Sequence, residues 1–129
     1  MGDILRLAKE IFDAQAFTQF LHAELYHADK SSVEIRLPIT PELLQQHGFV
    51  HGGVLSYLAD NAITFAGGMA LGGDALTSEF KINYIKPAKG NYLSAHAKAI
   101  SAGNRFASAK LKLLRMGRFY CVLLLKVQS

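Results

Sequence analysis

The chain has 129 residues, half of them apolar, one cysteine, and a formal charge of +4 from 14 basic against 10 acidic residues. That length suits one compact domain with its own core, and Cys121 has no second thiol to pair with, which excludes a disulfide scaffold. Ten of the basic residues lie at or after Lys81, which favours an anionic partner, but no helix-turn-helix, zinc-finger or glycine-aromatic RNA-binding signature points to nucleic acid.

The opening stretch, MGDILRLAKEIFDAQAF, has acids among its early positions and no apolar run ending in a small-residue cleavage site. It does not read as a secretory signal, and the expected location is the cytoplasm. Residues 3–12 set Ile4, Leu5, Ala8, Ile11 and Phe12 at helical spacing with Lys9 and Glu10 opposite, which predicts a short amphipathic helix. A strand hairpin is expected over 23–26 and 33–39, where Val33, Ile35, Leu37 and Ile39 alternate with polar residues and the ADKSS cluster makes the turn. Pro41-Glu-Leu-Leu reads as one helical turn opened by Thr40.

After His51-Gly52-Gly53, residues 54–71 show neither two-residue alternation nor proline, which predicts a long helix. Four strands are then expected, over 78–85, 92–100, 105–115 and 119–127, with turns at 87–91, at Gly103-Asn104 and at Gly117, forming an antiparallel meander. Cys121 falls in an apolar run and reads as a buried structural thiol. The sum is an α+β domain over 1–129, with five or six antiparallel strands curling over one long central helix.

From Gly52 to Gly73 the only charged residue is Asp60. A membrane helix needs about 20 apolar residues, but six glycines, a central Asp-Asn pair and strands that need an apolar cover argue for a buried central helix instead. At about 100° per residue, Asp60 shares a narrow stripe with Ser56, Tyr57, Thr64, Gly53 and Gly67. Two readings stay open for it: a solvated edge with an ordinary surface acid, or a stripe facing a crevice or partner subunit, where a carboxylate can act as base or nucleophile. Gly52 and Gly53 also admit two readings. They ease a sharp entry into the helix, or their N–H groups form an oxyanion hole at the positive end of the helix dipole. His47 and His51 are four apart, but no glutamate follows His47, so no metal site is expected and His51 is assigned to holding the loop. His22, His27 and His96 read as surface or strand positions.

The segments HGFVHGGVLSYLADNA, TSEFKINYIKPAKGNYL and GNRFASAKLKLL together resemble the hotdog-fold acyl-CoA thioesterases of the PaaI type, over roughly residues 45–114. The resemblance implies a sheet wrapped around the helix, a homodimer that pairs into a dimer of dimers, and active sites at the subunit interface. It implies hydrolysis of an acyl-CoA, aryl-acetyl or medium-chain, with no cofactor, coenzyme A being part of the substrate. Asp60 becomes base or nucleophile, the Gly52 N–H the oxyanion donor with Gly53 beside it, and His51 a positioning residue. Thr77 is the strand hydroxyl that places the attacking water, with Ser78 as its neighbour. The family often carries Asn six residues before the motif histidine; here that position is Gln45, and His47 is a further candidate for the site. Lys86, Lys89 and Arg105 fall at turns that border the nucleotide of coenzyme A in the family, although each can equally be a solvated surface charge. Tyr57, Phe65, Phe80 and Tyr84 either line the acyl pocket or belong to the core.

Two other functions fit the sequence less well. A hotdog dehydratase or hydratase expects a proline-rich H-F-P-type motif, which is absent. A non-catalytic acyl-CoA sensor expects an appended DNA-binding segment, for which no room is seen.

Overall fold

The computed structural model describes residues 2–30, 32–72, 75–79, 82, 87–102, 106–114 and 123–127. The elements in chain order are α1 (Gly2–Asp13), α2 (Ala16–Leu21), β1 (Glu24–Ala28), β2 (Ser32–Pro38), a 3-10 turn (Pro41–Leu43), α3 (Gly52–Leu71), β3 (Ala75–Glu79), β4 (Tyr92–Ala102), β5 (Phe106–Leu114) and β6 (Leu123–Val127). The strands form one six-stranded antiparallel sheet in the order β1-β2-β4-β5-β6-β3. Helix α3 packs across β2, β4, β5, β6 and β3, so the sheet wraps around it in the hotdog layout.

The amphipathic pattern of α1 buries Ala8 and Phe12, and the Phe12 ring meets Phe65 of α3 edge-on at 5.5 Å. In β2 the alternation is complete: Val33, Ile35 and Leu37 are buried while Ser32, Glu34 and Arg36 between them stay half-exposed. Register sets Ile35 between Leu25 of β1 and Ala95 of β4. Ile35, Leu37, Leu58, Ile63 and Leu93 are fully buried and, with Phe12, make the centre of the core. Each such side chain contributes about 1.5–3 kcal/mol by leaving water. Helix α3 stops at Gly72, whose left-handed backbone (φ 79°) turns its N–H onto the Gly68 and Met69 carbonyls, a conformation that disfavours any side chain with a Cβ.

Strands β4, β5 and β6 form the expected antiparallel meander, but β3 is not its first strand. Strand β3 pairs with β6 at one edge of the sheet, whereas β4 lies next to β2. Helix α3 separates β2 from β3 in the chain and packs against both, as well as against β4, β5 and β6 between them. Strand β3 also starts earlier than the expected 78–85, and of 80–86 only Ile82 is described. The short helix α2 was not expected. The turns at Gly103-Asn104 and Gly117, and Cys121, lie outside the described residues. Among the described residues no helix is long and apolar enough to cross a membrane.

Candidate active site

The chain enters α3 through a closed loop. Leu44 and Val50 face each other in an isolated antiparallel bridge. The Gln45 N–H donates to the Phe49 carbonyl at 2.8 Å, and the Gly48 N–H donates to the Gln45 carbonyl at 3.0 Å. Gly48 takes the positive φ (84°) that lets so short a loop close. Beyond it, the N–H groups of Val50 and His51 donate to the carbonyls of Ala88 and Leu43, both at 2.8 Å, which fastens the loop to its surroundings.

His51 then caps the helix. Its backbone is extended (φ −60°, ψ 136°) and its Nδ1 accepts the Gly53 N–H at 2.8 Å. The first turn of a helix has N–H groups with no partner within the helix, and the His51 ring takes up one of them. With Nδ1 accepting, the neutral ring keeps its proton on Nε2. Of the two glycine donors singled out in the sequence, Gly53's is thus directed at His51, and Gly52's lies one residue nearer the loop, at the positive end of the helix dipole.

Asp60 follows Gly52 by eight residues, about 12 Å along the axis at 1.5 Å per residue. It is half-buried, and the Thr64 hydroxyl donates to its Oδ1 at 3.4 Å. Ser56, Tyr57 and Thr64 are also half-buried, while Leu55, Leu58, Ala59, Ala62 and Ile63 on the other sides are fully covered. The acid therefore stands on a partly open stripe rather than inside the core.

The remaining candidates divide by position. The Gln45 Oε1 accepts the His47 N–H, so this amide is turned onto its own loop, and His47 is exposed. Lys89 is exposed and directly follows Ala88, whose carbonyl holds Val50, so it stands beside the entrance to α3. Thr77 and Ser78 lie on β3 at the sheet edge, Thr77 opposite Leu125 with a register irregularity just after it, and β3 packs against α3. The placement of their hydroxyls, like Lys86 and Arg105, lies outside the described residues. Gln45, His47, His51, Gly52, Gly53 and Lys89 thus gather at one end of α3, with Asp60 two turns further on. Among the described residues no three His, Cys, Asp or Glu side chains gather as metal ligands would. Phe65 is a core residue, edge-on against Phe12.

Two polar clusters escaped sequence reasoning. The first joins α2 to α3. The Thr18 hydroxyl donates to Gln15 Oε1 at 2.6 Å and lies 2.5 Å from the Tyr57 hydroxyl, and Asn61 Nδ2 donates to Gln15 Oε1 at 3.0 Å and to the Tyr57 hydroxyl at 3.1 Å. The second lies on the outer face of the sheet, where Glu34 Oε2 accepts from Arg36 Nε at 2.8 Å and from the Ser94 hydroxyl at 3.1 Å, with His96 Nε2 3.7 Å away. Burial pushes the Glu34 carboxyl up, but the Arg36 hydrogen bond, the His96 ring and the Ser94 hydroxyl outweigh it and hold the group below its ordinary value. His96 is therefore part of a network rather than a scattered strand position. The Arg36 guanidinium also lies 3.4 Å from the centre of the Tyr26 ring.

Residues 47–117 match the family model of the thioesterase superfamily. The chain is 26% identical to a proposed esterase of Saccharolobus solfataricus, over all of this chain and 99% of that one. A solved structure from Shewanella oneidensis, related to the thioesterase superfamily, superposes with a TM-score of 0.88 at 20% identity, covering 98% of this chain and 97% of that one. The PaaI protein of the phenylacetic acid degradation operon of E. coli superposes with a TM-score of 0.84 at 19% identity, covering 98% and 94%.

Proposed function

Because the chain belongs to the thioesterase superfamily, we propose that it hydrolyses an acyl-CoA thioester, aryl-acetyl or medium-chain, to the free acid and coenzyme A. The observation that carries this reading is the position of Asp60: one carboxylate, half-buried, on an otherwise uncharged helix whose first turn carries the loop-bound glycines. A solvated helix edge would carry several charged side chains, and this helix has none besides Asp60.

Asp60 acts as general base, taking a proton from the water that attacks the thioester carbonyl, or as nucleophile, adding to that carbonyl itself. In either case negative charge develops on the carbonyl oxygen, and the Gly52 N–H together with the helix dipole stabilises it. Collapse of the tetrahedral species breaks the C–S bond; in the base route the proton held by Asp60 passes to the departing thiolate, and in the nucleophile route the thiolate takes its proton from solvent and a water then hydrolyses the Asp60 acyl anhydride to the free acid. His51 touches no reacting atom in this scheme; its cap holds the first turn, and with it Gly52, in place. The Thr77 hydroxyl, or Ser78 beside it, orients the water. Gln45 and His47 border the site from the loop, and Lys86, Lys89 and Arg105 meet the phosphates of the coenzyme.

The separation of about 12 Å between Gly52 and Asp60 along one helix keeps them from meeting at one carbonyl. We therefore place the reaction at the interface of a homodimer, with Asp60 of one subunit facing the Gly52 N–H of the other, and dimers pairing further into a dimer of dimers. The test is release of free thiol from a panel of acyl-CoA substrates graded in length and aromaticity. Turnover of at least one of them, lost in Asp60→Asn while the dimer persists, supports the assignment; undiminished release by that variant would sink it.

A further inference from the structure

The central helix needs something to fix its roll. Its covered faces are built from Leu55, Leu58, Ala59, Ala62, Ile63 and Ala66. Packing of such side chains turns the apolar faces of α3 into the sheet, but burial is non-directional and sets the helix's angle about its own axis less tightly than hydrogen bonds do. That angle matters at Asp60. A carboxylate about 5 Å from the helix axis moves by about 1 Å for a roll of roughly 11°, and a misplacement of about 1 Å can cost on the order of 100-fold in rate.

The cluster between α2 and α3 is directional. Thr18 is fully buried and Asn61 is 9% exposed. With the Gln15 and Asn61 amides turned as they are, donor and acceptor chemistry leaves one order of protons around the ring. The Thr18 hydroxyl spends its proton on Gln15 Oε1, so the Tyr57 hydroxyl donates to Thr18, and the two Asn61 N–H groups donate to Gln15 Oε1 and to Tyr57. Burial pushes the Tyr57 phenol up against the opposing pull of its Thr18 and Asn61 hydrogen bonds, so it stays protonated and the order persists. Phe17 of α2 stands edge-on against the same ring at 5.2 Å. Tyr57 and Asn61 precede and follow Asp60 by three residues and one, which sets them about 60° and 100° around the helix from it, both on the same side.

We propose that Gln15, Thr18, Tyr57 and Asn61 are positioning residues: through them α2 fixes the roll of α3 and so aims Asp60. The proposal rests on the reading of Asp60 as the reacting carboxylate. A single substitution that leaves a buried partner of the ring unsatisfied lowers Tm as well, so the positioning role is read in kcat per folded molecule.

The test uses the full chain with phenylacetyl-CoA and hexanoyl-CoA as probes, measuring kcat, KM and Tm. Thr18→Val and Asn61→Leu are expected to lower kcat on the order of 10- to 100-fold with KM changed less than about threefold. Thr18→Ser, which keeps the hydroxyl, is expected to restore kcat to within about twofold. Tyr57→Phe keeps the ring and its Phe17 contact while removing one link, and serves if the buried substitutions prevent folding; it is expected to lower kcat in the same way. Full kcat in Thr18→Val or Tyr57→Phe, a Thr18→Ser as slow as Thr18→Val, or a lowered Tm with unchanged kcat per folded molecule each overturns the positioning role. Asp60→Asn run alongside separates the two claims. If it is inactive while the ring variants keep full kcat, only the positioning falls; if it keeps full activity, or if the wild-type chain releases no thiol from either probe, both fall.

Discussion

Gly53→Ala offers a test of the His51 cap whose sign depends on the environment. In the first turn of a helix an exposed glycine exchanged for alanine is ordinarily stabilising by about 0.5–1 kcal/mol, because the unfolded chain loses freedom. Here a Cβ at position 53 would lie 3.0 Å from His51 Nδ1 and 3.3 Å from its Cε1. The imidazole is exposed and can give way, but moving it weakens the 2.8 Å bond from the Gly53 N–H. A lost cap costs about 1 kcal/mol. The two effects nearly cancel, so Gly53→Ala alone is expected to leave stability close to wild type. His51→Ala alone loses about 1 kcal/mol, a fall in Tm of roughly 3–5 °C for a chain of this size. In the His51→Ala background nothing opposes the Cβ, and Gly53→Ala should then stabilise by the full 0.5–1 kcal/mol or so. Urea denaturation of the four proteins closes the cycle, with a coupling of about 1 kcal/mol expected between the sites. Equal stabilisation by Gly53→Ala in both backgrounds would refute the cap.

Leu58 is fully buried on α3, and Leu58→Ala should lose about 2–5 kcal/mol by urea denaturation; a loss under about 1 kcal/mol would place it outside the core. Glu34 is held below its ordinary value of 4.5, so its network stabilises the fold above that pH and is lost as pH falls through the lower, folded value. Wild-type Tm should therefore fall more steeply than that of Glu34→Gln below about pH 4.5, and parallel curves would contradict the network. Burial holds the Tyr57 phenol above its ordinary 10.0, so in spectroscopic titration wild type should show one tyrosine more ionising late than Tyr57→Phe, and the fold contribution of that phenol is lost only as pH rises through its raised value.

The course of the chain was largely readable. Absence of proline and of two-residue alternation marked α3 to within two residues of its start, and the alternation of Val33, Ile35 and Leu37 marked β2. The order of strands was not readable, because alternation says which face is buried and nothing about which strand lies alongside. That β3 sits beside β6 is settled by tertiary packing, with α3 lying against every strand from β2 to β3.

At the site the same division holds. His51 was legible as a loop-holding residue because an acceptor side chain just before a helix meets N–H groups that need one. The amide of Gln45 was not, since its bond to the His47 N–H depends on how the loop closes. Helix α2 is six residues long, too short for a 3.6-residue period to show. Thr18 reads as polar, yet its bond to Tyr57 spans 39 positions and the Gln15 bond to Asn61 spans 46. Glu34 and Ser94 are likewise 60 positions apart. Such pairs are set by tertiary packing, and no local pattern announces them.

The central claim is that Asp60 and Gly52 from two different subunits complete one site. Proline in place of Gly52 removes the N–H at a backbone position that accepts it, since the first helical position tolerates proline and the extended His51 backbone (ψ 136°) suits the residue before one. Asp60→Asn and Gly52→Pro chains should each be inactive as homodimers. Unfolded together in equal amounts and refolded, half the dimers would be mixed, each with one intact site, and thiol release should return to about a quarter of wild type per chain. A mixture as inactive as its two components would contradict the shared site.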